Sequence, residues 1–282
     1  MKVEVFESHP PLENQGDLSI FFLGTGSAFS RKYLQTNLVA VKGRLALFID
    51  FGTTAAGALE ALGHDLSQVN HLLLTHSHAD HIGGVEELAL KSRYMFQKKI
   101  HLLVTKEYSK ILWKESLAGG CKYNEIPKGR KYLTLEDYFH LRFFREEETM
   151  EDGRQIYEIE VEGLKIHLFR TKHIPSNGKK LSDFQLSYGM VLDEKVVFTS
   201  DTLFDLPLLS YLDKRFAPEI IFHDCQPFEG GVHASYRELN GLPKKIKEKI
   251  LLVHYSDHVN EEQVKQDGFQ GIGKRFHLYI FS

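Results

Sequence analysis

The chain has 282 residues, enough for one large domain or two small ones, and its 42% hydrophobic and 26% charged residues are ordinary for a soluble globular enzyme. No apolar run approaches the roughly 18 residues of a membrane-spanning helix, so no membrane partner is expected. The formal net charge is −3 and the basic residues are scattered in short groups, which argues against binding along a long nucleic acid but suits a small anionic ligand.

The first half of the chain alternates predicted strands and helices. Its N-terminal segment lacks the apolar core of a signal peptide, so a cytoplasmic location is expected. Apolar runs bounded by turn residues predict strands over 18–24, 37–42, 45–50, 69–74 and 100–104. Helical periodicity predicts helices over 53–62, 84–95 and 106–117.

Residues 119–154 are less regular and are interpreted as an insert. The segment contains Gly119, Gly120 and Pro127 together with an acidic stretch over 146–148. We expect it to be the part of the chain that closes over a site. Five of its aromatic side chains are candidates for stacking on a base, with packing inside the insert as the alternative role. They are Tyr123, Tyr138, Phe139, Phe143 and Phe144.

Regular structure is expected again after the insert. Further strands are predicted over 155–161, 164–170, 184–192, 195–199, 219–223, 250–254 and 275–281, with a short helix over 243–249. Layers of sheet and helix are the natural way to bury such elements. We therefore predict a single α/β domain over residues 1–282, with internal pseudo-symmetry between its two halves. Cys121 and Cys225 are expected to be free thiols.

The sharpest feature of the sequence is a group of candidate metal ligands. His76, His78, Asp80 and His81 follow directly after the predicted strand 69–74. Imidazole nitrogens and carboxylates are good ligands for zinc, manganese or iron, and four such groups within six residues cannot be satisfied in an apolar core. Three further candidates follow later predicted strands. They are His173, Asp201 and His254. Any of these three alone is more typical of an ordinary loop, but the seven together supply enough ligands for two ions.

The order of these residues resembles the metallo-β-lactamase superfamily, which uses an H-x-H-x-D-H turn, a distant histidine, a bridging aspartate and a last histidine. The resemblance runs from Ser19 to about His254. It implies an α/β fold of the four-layer αβ/βα sandwich type, with the site at one edge. It also implies how the ligands divide. One metal would be held by His76, His78 and His173, the other by Asp80, His81 and His254, with Asp201 bridging the two.

Asp50, in the segment FIDFG, matches a carboxylate of the same superfamily that orients a ligand imidazole. A turn residue before Gly52 is the alternative interpretation.

A narrower resemblance is to the ribonuclease Z branch of this superfamily. The opening FFLGTGSAF, the segments NLVAV and LFIDFG, and IFHDC followed by His233-Ala-Ser235 carry it. The branch uses the later histidine as a proton donor, which implies that His233 is a general acid. A solvated loop histidine is the alternative. The interval from His173 to Asp201 is too short for the arm with which ribonuclease Z grips tRNA.

The segment over 233–258 resembles ribonuclease Z-like cyclic nucleotide phosphodiesterases, a group that includes the anti-Pycsar proteins. Phages and some bacteria use those proteins to destroy cyclic nucleotide immune signals. The resemblance implies a dinuclear-metal phosphodiesterase that converts 3′,5′-cyclic nucleotides to nucleoside 5′-monophosphates. It implies two divalent metal ions, with zinc expected first and manganese second, and catalytic roles for His233 and Asp80.

Other functions stay open at this stage. They are tRNA 3′ processing, hydrolysis of esters, thioesters or lactones on the same metals, and non-catalytic metal or ligand binding. The expected partners are a small anionic phosphodiester substrate and a second copy of the chain in a homodimer.

Overall fold

The computed structural model describes all 282 residues and contains two eight-stranded sheets. With strands numbered along the chain, the first sheet runs from edge to edge as β1 (Lys2–Val5), β16 (His277–Phe281), β2 (Leu18–Gly24), β3 (Asn37–Lys42), β4 (Leu45–Ile49), β5 (His71–Leu73), β6 (Ile100–Val104) and β7 (Phe139–Phe143). The second sheet runs as β15 (Gly271–Ile272), β14 (Ile250–Val253), β13 (Ile220–Asp224), β12 (Val196–Phe198), β11 (Tyr188–Leu192), β10 (Leu164–Arg170), β9 (Gln155–Val161) and β8 (Arg145–Thr149).

The two sheets share one pairing plan. In the first, the strands from β1 to β4 pair antiparallel and those from β4 to β7 pair parallel. In the second, β8 to β12 pair antiparallel and β12 to β15 pair parallel. The expected pseudo-symmetry between the halves of the chain is therefore visible in the strand directions.

Ten α-helices connect the strands. They are α1 (Ala55–Ala61), α2 (Ala79–Ile82), α3 (Val85–Leu90), α4 (Lys106–Ile111), α5 (Ala118–Cys121), α6 (Leu135–Tyr138), α7 (Leu206–Phe216), α8 (Tyr236–Asn240), α9 (Lys244–Lys247) and α10 (Glu261–Gln266). The helices expected over 84–95 and 106–117 are present, but each finishes in a π-helical turn, over Lys91–Met95 and Leu112–Leu117. No helix of the structure combines the length and apolar character needed to cross a membrane.

Alternation along the strands explains the layers. In β13, Ile220 and Phe222 belong to the large core shared by both sheets, whereas Ile221 belongs to a separate core that includes Leu208 and Leu212 of α7. Successive side chains of a strand point to opposite faces, so one face of the second sheet meets the first sheet and the other meets helices. Helices α1, α3 and α4 pack into the large core beside the first sheet. The order of layers is thus helix, sheet, sheet, helix.

The prediction of an irregular insert over 119–154 is wrong for the second half of that segment. Strand β7 pairs in parallel with β6, and β8 pairs with β9, so the segment supplies one edge strand to each sheet. The sequence of β8, REEET, has no apolar run because its side chains are largely exposed at the sheet edge. Charged side chains are typical of edge strands, which protect themselves from further pairing.

Helix α7 was missed by the sequence analysis although its signals are present. The side chain of Asp205 accepts a hydrogen bond from the Leu208 backbone N–H at 3.1 Å and caps the first turn, where Pro207 is tolerated. Both cysteines are buried and unpaired, as expected.

The site is positioned by the carboxyl ends of parallel strands. Strands β4 and β5 end side by side in the first sheet, with Ile49 paired to Leu73. Strands β12, β13 and β14 end together in the second. The candidate ligands lie on the segments that follow these strands, including helix α2 after β5, and on the loop after β10.

Candidate metal centre

The H-x-H-x-D-H turn is locked against the loop that follows β4. The Phe51 backbone N–H donates to the His81 carbonyl oxygen at 2.7 Å, and the Thr53 N–H donates to the Ala79 oxygen at 3.3 Å. Gly52 lies so close that a Cβ there would stand 1.9 Å from the Asp80 carbonyl oxygen. Only glycine fits this position, and the close approach fixes where the turn presents its side chains.

Three non-glycine residues at the ends of central strands adopt left-handed backbone conformations. They are Asp50 after β4, Ser200 after β12 and His254 after β14, with φ of 63°, 51° and 54°. Such conformations are costly for residues with a Cβ and cluster at functional sites. Here they reverse the chain abruptly after each strand, and they lie within or next to the ligand set.

The first group of ligand atoms is a set of mutually facing nitrogens. His78 Nδ1 lies 3.0 Å from His76 Nε2 and 3.1 Å from His173 Nε2. Asp201 Oδ2 lies 3.7 Å from His76 Nε2 and 3.5 Å from His173 Nε2. Four ligands at about 2.0–2.1 Å from a tetrahedral zinc ion stand ~3.3 Å apart. The group therefore has the spacing of a metal site.

Hydrogen bonding fixes which of these nitrogens carry lone pairs. The Thr75 hydroxyl lies 2.8 Å from Asp50 Oδ2, to which it donates, so it accepts from His76 Nδ1 at 3.0 Å. His76 Nε2 then presents a lone pair toward His78. Burial, followed by the neighbouring His81 imidazole, holds the pKa of His76 well below its usual value, which keeps the ring neutral.

His173 repeats this arrangement from the other sheet. Its Nδ1 lies 2.9 Å from the Val232 carbonyl oxygen, which can only accept, so the proton is on Nδ1 and Nε2 has a lone pair. Burial lowers the pKa of His173 to about 4. Two lone pairs thus face His78 Nδ1, which has at most one proton to offer. A cation among the three nitrogens satisfies all of them.

The second group is built around His81. Its Nδ1 lies 2.6 Å from Asp50 Oδ2, and its Nε2 lies 3.2 Å from Asp80 Oδ2 and 3.3 Å from Asp201 Oδ2. The expected contact of Asp50 with a ligand imidazole is confirmed. Burial opposes charge on His81, but the carboxylates of Asp201, Asp50 and Asp80 raise its pKa well above the usual value. A proton or a metal ion therefore fits between His81 Nε2 and the carboxylates of Asp80 and Asp201.

His254 completes the second group. Its Nε2 lies 3.9 Å from Asp80 Oδ2, and its Nδ1 lies 3.5 Å from Asp201 Oδ1. Both ring nitrogens of His254, together with His81 Nε2 and Asp201 Oδ1, are buried and have no hydrogen-bond partner. Buried polar atoms are rarely left unsatisfied, and metal coordination is one of the few explanations for four in one place. The donor set of nitrogen and carboxylate oxygen suits zinc or manganese.

The seven residues expected to bind metal are therefore brought together in the two groups that the resemblance implied, with Asp201 common to both. The aromatic residues of the 119–154 segment do not reach the site. Tyr138, Phe139 and Phe144 are buried in the core. Tyr123 and Phe143 do not line the cavity over the ligands.

His233 lies beside both groups. Its ring centroid is 5.0 Å from that of His173 and 4.8 Å from that of His254. Its Nδ1 lies 2.9 Å from Asp224 Oδ2, so Nδ1 carries a proton and Nε2 is left for a ligand. Burial opposes protonation, but Asp201 and Asp224 outweigh it and raise the pKa of His233 to about 9.

Asp224 is a site residue to which the sequence analysis gave no role. It is the last residue of β13, and its Oδ2 also accepts from the Thr202 N–H at 3.0 Å. The signal that could have found it is its place: an acid at the carboxyl end of a buried strand, next to other ligand-bearing strand ends.

A cavity of about 560 Å³ opens over the two groups. Its walls are Ala28, Phe29, Ser30, Arg31, Gln35, Thr53, Thr54, His78, Ala79, Asp80, His173, Asp201, Val232, His233 and His254. This volume lies in the range of about 300–1,000 Å³ typical of small-molecule sites.

Comparison with known proteins identifies the relatives of the chain. The family model described as anti-Pycsar protein Apyc1 matches residues 18–279. The anti-Pycsar protein Apyc1 of Bacillus phage vB_BveM-Goe7 is 40% identical over 245 residues, which cover 85% of this chain and 89% of the phage protein. The Apyc1 protein of Paenibacillus sp. (strain J14) is 34% identical over 241 residues, covering 85% of this chain and 90% of that relative.

Solved structures establish the fold. The metallo-β-lactamase fold protein YhfI of Bacillus subtilis superposes with a TM-score of 0.66 at 15% identity, covering 94% of this chain and 99% of YhfI. The short form of human tRNase Z superposes with a TM-score of 0.62 at 15% identity, covering 94% of this chain and 99% of that enzyme. The predicted metallo-β-lactamase sandwich is thus confirmed.

Proposed function

The chain belongs to the anti-Pycsar protein Apyc1 family, and from that premise we propose that it is a dinuclear-metal phosphodiesterase. Its substrates would be 3′,5′-cyclic nucleotides and its products nucleoside 5′-monophosphates. Destroying such a nucleotide would remove an immune signal, which is the role that the family name describes. The observation that carries the proposal is the pair of ligand groups sharing Asp201, with His233 at their side.

The residues that would hold the metals follow from the geometry. His76, His78 and His173 form one group and Asp80, His81 and His254 the other, with Asp201 common to both. Two divalent cations in such a site lower the pKa of water and neutralise phosphate charge. We propose zinc first and manganese second, because the donors are mostly imidazole. Asp80 is the only carboxylate that belongs to the second group alone, so its loss should be felt directly in turnover.

His233 would supply the proton for the leaving group. Water adds to phosphorus, the bond from phosphorus to the 3′ oxygen breaks, and that oxygen takes the proton from His233 Nε2. Asp224 holds the ring through Nδ1, so the imidazolium is stabilised and its Nε2–H is directed away from Asp224. The attacking water releases its proton to solvent, and the neutral His233 takes up a proton from solvent before the next turnover. The product has a free 3′ hydroxyl and a 5′ phosphate.

The proposed substrate is a small molecule and not a long nucleic acid. The cavity is of small-molecule size, and the segment between β10 and β12 consists of β11, the connection over 171–187 and a three-residue turn, which leaves no room for a further domain. The protein would act as a homodimer on a small anionic phosphodiester.

A substrate panel tests the function. The zinc- and manganese-loaded protein is offered cyclic AMP, cyclic CMP, bis(p-nitrophenyl) phosphate, a precursor tRNA and a thioester, and the products are separated by chromatography. Nucleoside 5′-monophosphates from the cyclic nucleotides are expected. Release of only 3′-monophosphates would contradict the place given to His233. Cleavage of only precursor tRNA or of only the thioester would overturn the substrate class, and full metal occupancy without any turnover would point to a binding protein.

A further inference from the structure

A second cavity of about 350 Å³ adjoins the metal cavity and shares a wall with it. Ala28, Phe29, Val232, His233 and His254 line both spaces. The remaining walls of the second cavity come from the loops after β2, β13 and β14 and are mostly apolar or small. They are Ser27, Cys225, Gln226, Pro227, Phe228, Gly231 and Ser256. We call this space the side slot.

Phe29 stands at the junction of the two cavities. Its side chain is 91% exposed, an unusual state for a phenylalanine. The turn that carries it is rigid. The Ser27 N–H donates to the Tyr255 carbonyl oxygen at 2.9 Å, the Ser30 hydroxyl donates to Asp257, and the Arg31 N–H donates to Asp257 Oδ2 at 3.0 Å. The backbone on both sides of Phe29 is therefore anchored, while its ring stays exposed.

Phe228 belongs to the loop of the side slot that follows β13 and is 62% exposed. Its backbone carbonyl accepts from Gln226 Nε2 at 2.8 Å, and Gln226 Oε1 accepts from the His233 N–H at 3.3 Å. The same glutamine thus ties the Phe228 loop to the catalytic histidine. Two exposed aromatic rings on hydrogen-bonded loops beside a catalytic cavity indicate a ligand-binding surface.

We propose that the side slot is the nucleobase subsite, with Phe29 and Phe228 as the residues that stack on the base. The inference rests on the proposed function, because it assumes that the phosphate occupies the metal cavity. In a cyclic nucleotide the base and the cyclic phosphate are attached to the same ribose, so a base subsite must adjoin the phosphate site. The side slot meets that requirement, since His233 and His254 form a wall of both spaces.

The chemistry of the walls suits a flat, weakly polar ring system. Bases stack on aromatic side chains, and each stacked base contributes about 5- to 150-fold in affinity. Within one chain, the aromatic residues of the 119–154 segment do not take this part, because they lie in the core or away from the cavity. The rival explanation for the two exposed rings is a partner subunit that covers them.

Binding of two matched ligands tests the subsite without turnover. The zinc-loaded protein is titrated by calorimetry with AMP and with ribose 5-phosphate, which differ only in the base. The variants are Phe29→Ala, Phe228→Ala and the conservative Phe29→Tyr. The control is Phe143→Ala, which removes an exposed phenylalanine of β7 that lines neither cavity. Light scattering of each variant reports the oligomeric state at the same concentration.

The expected result is that Phe29→Ala and Phe228→Ala weaken AMP binding by about 5- to 150-fold and leave ribose 5-phosphate within about 2-fold. Phe29→Tyr should restore AMP binding, and Phe143→Ala should change neither ligand. Equal losses for both ligands, or no loss for AMP, would overturn the subsite. The subsite would also be overturned if a Phe29 or Phe228 variant became monomeric while it kept its preference for AMP over ribose 5-phosphate. If wild type prefers AMP through Phe29 but hydrolyses no cyclic nucleotide, the proposed function fails and the subsite stands.

Discussion

Histidines gather at both ends of strand β5, with different consequences. At the carboxyl end, the rings of His76, His78 and His173 cross one another at 71–75°. At the amino end, the rings of His71 and His101, on β5 and β6, stack at 5.0 Å and 16°. His140 on β7 continues that row at 5.1 Å and 30° from His101. We call these three residues the histidine row.

Ring orientation and the presence of a carboxylate together separate the first ligand group from the histidine row. Crossed rings aim their in-plane lone pairs at one point, whereas stacked rings present lone pairs side by side. Asp201 joins the crossed rings at 3.5–3.7 Å, but the only acid in an ion pair with the row is Glu162, 3.7 Å from His71 Nε2. A count of histidines is therefore no guide to a metal site. Convergent nitrogens with a carboxylate among them are the better indicator of a metal site.

The largest expected contrast is in turnover. Asp80→Ala or His81→Ala removes a candidate ligand from the short helix α2. Neither side chain belongs to a hydrophobic core, so activity should fall by more than about 10³-fold while the fold stays intact. His101→Ala, the matched change in the histidine row, should keep activity within about 2-fold. Initial rates with a cyclic nucleotide, beside circular dichroism of each variant, measure both. More than about a tenth of wild-type activity in either ligand variant would refute the metal assignment.

A smaller effect should separate the general acid from the ligands. His233→Ala should slow hydrolysis by about 10²–10⁴-fold, the usual contribution of a placed proton donor, and should leave the metal content unchanged. A substrate with sulfur as the leaving atom needs less protonation, so its rate should fall much less. Rates on both substrates and metal analysis of the same preparation decide the matter. Equal losses on the oxygen and sulfur substrates would remove His233 from this role.

Metal content should distinguish the two ends next. Wild type and His71→Ala should both retain two zinc ions per chain after desalting, whereas His254→Ala should retain fewer, because a ligand of the second group is gone. Removal of metal by a chelator should lower the melting temperature of wild type and of His71→Ala alike, since ligands that bind only the folded state stabilise it. A lower zinc content in His71→Ala than in wild type would show that the histidine row also binds metal.

The smallest effect concerns pH. Burial lowers the pKa of His71, against the pull of Glu162, and burial also lowers the pKa of His101. The folded state therefore favours the neutral rings, and the stability they contribute is present above pH 6.5 and is lost as pH falls through the folded pKa. Between pH 7.5 and 5.5, wild type should lose up to about 2 °C more in melting temperature than His71→Gln does. A larger loss of melting temperature in His71→Gln than in wild type would contradict the lowered pKa of His71.

The candidate ligands can be picked out of the sequence because their spacing is a local signal and they follow predicted strands. His76 to His81 lie on one turn, and His173, Asp201 and His254 each follow an apolar run that forms a buried strand. The single-domain organisation over residues 1–282 stays a prediction, as do the homodimer and the cytoplasmic location.

Other features depend on contacts that local patterns do not show. Strand β8 has no apolar pattern because it lies at a sheet edge, and Asp224 gains its role only when β13 is placed beside His233. The exposure of Phe29 and Phe228 is also a tertiary property, since isolated phenylalanines in a sequence predict burial.

Anomalous diffraction from crystals grown with zinc would show directly whether two metal ions share Asp201. Two strong peaks per chain are expected, one among His76, His78 and His173 and one among Asp80, His81 and His254, both within bonding distance of Asp201. No peak is expected beside the histidine row. A zinc ion bound by His71 and His101, or a centre in which Asp201 contacts no metal, would contradict the metal assignment.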